Sequence, residues 1–219
     1  MAINDLTNIE LRIIGCLMEK SVTTPDQYPL TLNALVLACN QKSGRNPVMS
    51  LKPGEVQHCV RGLEVRHLIR VEENFSRGIE KYVHRFCNSS YSELQLDPAQ
   101  YAIVCLLMLR GPQTPGEFRA RSPRLHGFDD NQAVIASIDQ LIAFESGPLL
   151  VKLLRTAGRK DSEYMHLFGG PIDIDALADA GESRKREPSA LQKRIDELEL
   201  RISQLESENV ALKRQLENR

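Results

Sequence analysis

Gln57, His58 and Arg61 lie in a stretch whose apolar residues Val56, Val60 and Leu63 recur at helical spacing. With those three turned inward, the three polar side chains share the outer face. In the DNA major groove, Arg pairs bidentately with guanine and Gln with adenine, so this face has the chemistry to read base edges. Lys42 and Arg45 precede the helix, and Arg77 and Lys81 follow it; all four can hold phosphates, which fix register without reading sequence. The plain alternative is a solvated helix face, since any exposed helix carries such residues.

Catalytic chemistry finds no comparable support. The sequence has no Gly-rich phosphate loop, no nucleophile elbow and no His-x-x-x-His pair. No enzyme activity, cofactor or metal ion is expected. The five cysteines (Cys16, Cys39, Cys59, Cys87 and Cys105) form no C-x-x-C pair, and most have aliphatic neighbours. They read as reduced core thiols, because free cysteine behaves as a small buried hydrophobe. His84 and His166 recur in matching segments, Tyr82-x-His84-x-Phe86 and Tyr164-x-His166-x-Phe168. A strand residue two positions from an aromatic packs on the same face. Both histidines therefore read as structural, with the aromatics sealing each hairpin onto its helices.

These residues need elements to position them, and the sequence supplies the elements twice. Leu6 to Pro25 aligns with Leu96 to Pro115 at a constant offset of 90, the mark of a duplicated unit. The first copy predicts helices over Thr7–Lys20, Pro29–Asn40 and Pro53–His67. Thr7 and Glu10 form a capping box, and Pro29 stands at a first helical position. Strands over Leu68–Val71 and Ile79–Phe86 follow, joined by a turn over Asn74–Gly78. The second copy predicts helices over Pro98–Arg110, Pro115–Arg121 and Asn131–Glu145, then strands over Leu149–Leu154 and Glu163–Phe168. Three helices and a two-stranded hairpin make the winged-helix order, in which the third helix usually enters the groove and the hairpin is the wing. The fold class is mainly α with small β-hairpins (α+β), with domains at 1–88 and 89–168.

The copies diverge on the third helix. Aligning Val134 with Val56 puts Ile135, Ala136 and Asp139 where the first copy has Gln57, His58 and Arg61. An apolar and acidic face suits protein packing rather than phosphate. Positive charge in this copy lies instead at Arg119, Arg121 and Arg124, and on the hairpin at Arg155, Arg159 and Lys160.

Residues 169–188 read as a flexible linker, rich in Gly, Ala, Asp and Pro. A heptad follows over 189–219. Leu191, Leu198, Leu205 and Leu212 occupy one seam position; Ile195, Ile202, Asn209 and Leu216 occupy the other. Ile at a with Leu at d favours a parallel pair, and a lone Asn at a fixes register. The facing pairs Arg194 with Glu199, Arg201 with Glu206, and Glu208 with Lys213 are all opposite in sign. Parallel self-association is expected, against the alternative of a helix folded back on its own domain. The cluster Arg184-Lys185-Arg186 is no basic-zipper reader, since Pro188 interrupts the helix that such a motif needs.

Several long motifs resemble the YceH-like family of uncharacterised bacterial proteins. They are Gly15-Cys16-Leu17-Met18-Glu19-Lys20, Thr23-Thr24-Pro25-Asp26-Gln27-Tyr28-Pro29-Leu30, Ala38-Cys39-Asn40-Gln41-Lys42, Arg85-Phe86-Cys87-Asn88, Leu109 to Glu117 and Tyr164 to Phe168. The resemblance spans about residues 5 to 170. It implies a tandem winged-helix fold and no known activity, so it carries over no functional residue.

Net charge is −1, so no bulk field favours nucleic acid. Residues 1–88 hold 11 Lys and Arg against 9 Asp and Glu, and are the more basic copy. No apolar run is long enough to span a membrane, and no signal peptide is read at the N-terminus. A cytoplasmic, dimeric, non-enzymatic double-stranded-DNA binder of transcription-regulator type is expected. The rival is a tandem winged-helix adaptor that binds protein, with the second copy as its partner surface.

Overall fold

The structure, a computed structural model, describes residues 5–74, 78–90, 92–154 and 161–170, together with 198, 201 and 202. The chain divides into two compact units, Met1–Ile174 and Asp175–Arg219. No helix among the described residues is long and apolar enough to cross a membrane.

The first unit is mixed α and β. Helix α1 (Asn8–Thr23) opens on a capping box: the Thr7 hydroxyl accepts from the Glu10 amide, and Glu10 accepts from the Thr7 amide. It runs three residues past the expected end. The reason lies in the repeat, because α4 (Pro98–Arg110) stops at Gly111, whose φ of 72° leaves the helix. At the matching position α1 has Ser21, which stays helical.

A 3-10 turn (Pro25–Gln27) follows, and then β1 (Leu30–Thr31). Helix α2 (Leu32–Cys39) therefore starts later than Pro29, with Thr31 as its cap. Leu30 and Thr31 are drawn out of the helix because they pair with Tyr82 and Lys81. Helix α3 (Pro53–Val65) begins on a proline and ends where His67 takes a positive φ of 58°. Strands β2 (Ile69–Asn74) and β3 (Ile79–His84) pair antiparallel, giving a sheet of order β1-β3-β2.

The second half repeats this plan with less material. After α4, Thr114 caps α5 (Pro115–Arg121), and Asp130 caps α6 (Asn131–Ile142). Strands β4 (Leu150–Lys152) and β5 (Tyr164–His166) pair antiparallel. A single bridge from Gln113 to Tyr164 stands where the first half has β1. This corrects the repeat at its far end: Thr114-Pro115 opens α5, whereas Thr24-Pro25 opens the 3-10 turn, and the structural partner of Thr114 is the cap Thr31.

The two copies share one core. Helices α1 and α4, the same helix twice, pack against each other at Gly15, where an added Cβ would lie 3.0 Å from Met108. The Cys105 thiol, 90 residues on, donates to the Gly15 carbonyl at 3.5 Å. The last aromatics of the two signatures, Phe86 and Phe168, meet edge-to-face at 5.0 Å. Equivalent positions touching each other is the geometry of an internal approximate two-fold. The buried cluster is continuous from Leu6 to Phe168, so the boundary expected at 88/89 falls inside one compact unit. Four of the five cysteines are buried in it and all five are free, with Cys59 half-buried.

Candidate nucleic-acid interface

Helix α3 has the orientation its pattern demands. Val56, Val60 and Leu63 are fully buried, while Gln57, His58 and Arg61 are exposed. Arg61 is held at home: it pairs with Glu64 at 3.1 Å and with Glu80 on β3. These carboxylates join helix and hairpin into one surface and neutralise the Arg61 guanidinium. The pairs are exposed, so exchanging them for a ligand costs little, about 1 kcal/mol or less.

Lys42 and Lys81 are exposed and make no salt bridge with described residues. Lys52, at the start of α3, is exposed in the same way; the sequence reading passed over it because it sits at a cap rather than in the periodic stripe. Arg77 lies outside the described residues.

Arg45 is a correction. It is buried, and its guanidinium is used inside the protein. It donates to both Glu19 carboxylate oxygens (3.1 and 2.6 Å), to the Ala38 and Gly44 carbonyls (both 3.0 Å) and to Gln41 (2.9 Å). Burial alone would lower its affinity for the proton, but the hydrogen bonds it donates to Glu19 outweigh this and the pKa is raised. Glu19 is correspondingly lowered against the effect of its own burial. Arg45 cannot reach a phosphate without breaking this network.

Beside it lies an arginine that the apolar periodicity hid. Arg12, 1% exposed, donates to the Cys39 carbonyl at 3.1 Å and the Pro47 carbonyl at 2.7 Å. It makes no ion pair with described residues, and burial lowers its pKa. Arg12 and Arg45 together tie the segment before α3 to α1. The Asn46 amide adds a bond to the Leu109 carbonyl of α4.

The second half presents a different surface. On α6, Val134, Ile138 and Leu141 are buried, and Ile135, Ala136 and Asp139 are exposed, as the alignment expects. Arg119, Arg121 and Arg124 are exposed, with Arg121 paired to Glu117 at 3.2 Å. Arg155, Arg159 and Lys160 lie outside the described residues.

Of the expected self-association seam, Leu198 and Ile202 are helical and 49% and 54% exposed. Leu191, Ile195, Leu205, Asn209, Leu212 and Leu216 lie outside the described residues. No cluster of metal-ligating side chains occurs among the described residues.

The model of a family described as "Protein of unknown function, DUF480" matches residues 6–159. A UPF0502 protein of Vibrio atlanticus (strain LGP32) is 47% identical over 213 residues, covering 97% of each chain. One from Hahella chejuensis is 47% identical over 212 residues, covering 97% of this chain and 95% of its own. The UPF0502 protein YceH of Salmonella paratyphi B is 44% identical over 214 residues, covering 98% and 95%.

Proposed function

The chain belongs to the DUF480 family, and we propose that it is a non-enzymatic DNA-binding protein of transcription-regulator type that acts as a dimer. The observation that carries this reading is the α3 face, with Gln57 and His58 free beside Arg61 while Val56, Val60 and Leu63 anchor the helix. Each half runs helix, helix, helix, hairpin, and we read each as a winged helix, with α3 as the groove reader. Lys42, Lys52 and Lys81 supply phosphate contacts. Leu198 and Ile202, each helical and exposed and standing at successive seam positions of the heptad, support a parallel coiled coil as the dimer seam.

Affinity for a mixed-sequence duplex is expected to fall with salt, at close to one log-log unit per phosphate contact. Absence of duplex binding at low salt ends the DNA reading. Sedimentation is expected to show a dimer for the whole chain and a monomer after removal of residues 189–219; a dimer in both means the coil is not the seam.

One observation favours an adaptor that binds protein. Ile135 on α6 is 38% exposed beside Ala136, a poor phosphate partner and a good apolar one. Protein capture through α6 without duplex binding is the result that selects this second reading.

A further inference from the structure

Arg110 closes α4 beside the segment that leads into α3. Its main chain is tied there, because the Asn46 side-chain amide donates to the Arg110 carbonyl at 3.2 Å. Its side chain lies over Gly44, where an added Cβ would stand 3.5 Å from Arg110 Nη2. Apart from Ser43 and Arg45, no other described residue comes within 4 Å of that point, so Gly44 leaves space beside the guanidinium. The guanidinium is half-buried. Both terminal nitrogens reach solvent, and neither makes a hydrogen bond or ion pair among the described residues.

Arg121 comes to the same place from α5. Its Nη1 donates to the Gln113 side chain at 3.0 Å, on the short link from α4, and its Nη2 pairs with Glu117 at 3.2 Å. Arg121 is the strongest charge acting on Arg110, followed by Arg45. Burial and these two like charges lower the proton affinity of Arg110, yet a guanidinium keeps its proton at any ordinary pH. The nearby acids are already committed. Glu19 is held by Arg45 and Lys20, and Glu117 by Arg121 and the Thr114 cap. Arg45, Arg110 and Arg121 against Glu19 and Glu117 leave one positive charge without a counter-ion.

The repeat shows that this excess is particular to the second half. The offset of 90 sets Lys20 against Arg110 and Glu19 against Leu109. Lys20 therefore has a carboxylate at 3.4 Å, and Arg110 has an aliphatic side chain in its place. Through the caps Thr31 and Thr114, Arg121 matches Ala38. Neither arginine belongs to the common scaffold. Two guanidinium forks arriving from different helices suit a tetrahedral anion, which offers separate oxygens to each, where a carboxylate offers one planar pair. We propose that Arg110 and Arg121 hold a phosphate group beside Gly44. A phosphodiester carries the single negative charge that the cluster lacks. Gly44 lies two residues from Lys42, so the phosphate belongs to a duplex backbone passing Lys42 or to a small phosphorylated molecule, and the experiment separates the two.

The test titrates the full chain, isotope-labelled at arginine, with inorganic phosphate while chloride holds the ionic strength constant. The Arg110 and Arg121 side-chain signals are expected to shift saturably. Arg110→Gln and Arg121→Gln are each expected to weaken phosphate about tenfold through the loss of a charge-assisted bond. Arg110→Lys, which keeps the charge and loses the fork, is expected to fall between. Should Arg110→Gln not fold, Arg121→Gln decides alone. The inference is overturned if phosphate gives no saturable shift beyond that of chloride, or if either folded Gln variant binds it as tightly as the unaltered chain. Salt-dependent binding of a mixed-sequence duplex then names the source. A salt slope lowered by about one unit in Arg110→Gln assigns the phosphate to a duplex backbone. An unchanged slope, with phosphate bound by the unaltered chain, assigns it to a small phosphorylated molecule. The site does not rest on DNA binding: a chain that takes phosphate here and no duplex keeps the site and loses the reading above.

Discussion

Helices α1 and α4 share an ancestral pattern but are filled differently. Where α4 has Ala102 and Leu109, α1 has Arg12 and Glu19 at the same offset. Ala102 and Leu109 are simply buried. Arg12 and Glu19 work outward from the core: Arg12 holds the Cys39 and Pro47 carbonyls, and Glu19 holds Arg45. The segment they restrain, residues 40–52, leads into α3. Its counterpart, residues 122–130, leads into α6 and is held by turns closed on the Ser122 carbonyl and by the His126–Phe128 ring contact. The half whose third helix bears a polar face thus invests buried charge in fixing the approach to that helix. The other half makes do with local turns.

The largest expected effect comes from breaking this difference. Arg45→Leu leaves the part-buried Glu19 carboxylate with only the Lys20 ammonium at 3.4 Å and removes the bonds to Ala38, Gly44 and Gln41. A cost of about 3 to 5 kcal/mol is expected, as for other buried pairs losing one partner. Urea unfolding measures it. Glu19→Leu with Arg45→Leu is expected to recover part of the loss, because the unpaired charge is gone. Equal losses in the single and double variants would mean that the pair is not what fixes the segment.

Next in size is the pH response, which compares the two histidines. Burial pushes both to about 4 from an ordinary value of 6.5. Between those values the unfolded chain binds protons that the folded chain does not. Stability is therefore whole above about pH 6.5 and falls as pH drops toward 4, by on the order of 3 kcal/mol per histidine. Replacing either with Gln is expected to flatten the curve by about half; thermal midpoints across that window check it. A flat profile for the unaltered chain contradicts the burial of both rings.

Gly15→Val is expected to cost about 2 kcal/mol through overpacking at the α1–α4 crossing. Because one core serves both copies, hydrogen exchange should report the loss in both halves together. Loss confined to residues 1–88 would mean that the copies unfold separately.

How much of this was legible follows from what kind of signal each feature leaves. Helices α4 and α5 end at Arg110 and Arg121 as expected, because Asp97 and Thr114 cap them and Gly111 and Ser122 follow. The α3 and α6 faces were legible because helical period alone sets which side turns inward. Strand β1 was not, since Leu30 and Thr31 are strand only through pairing with Tyr82 and Lys81, 52 and 50 positions on. Arg45 was misplaced for a related reason: a basic residue in a polar stretch looks solvated until its carboxylate partner, Glu19, is known to face it. The Tyr28–His84–Tyr101 group joins three segments brought together only by the fold; sequence gave its histidine and not its neighbours.

The smallest expected effect bears on the two outer surfaces themselves. Lys42→Ala and Lys81→Ala each remove an exposed cation with no described ion-pair partner, so stability should change by less than about 0.5 kcal/mol. If α3 and its hairpin meet the duplex, each substitution lowers the salt slope of binding by about one unit, whatever the duplex sequence. Gln57→Ala acts differently, because a side chain that reads a base edge costs affinity at one base pair and leaves the slope alone. Arg119→Ala and Arg124→Ala supply the contrast, being exposed cations on the half whose third helix is apolar and acidic. If they lower the slope as much as Lys42→Ala does, the duplex runs across both halves, and the polar α3 face no longer distinguishes the first copy as the reader.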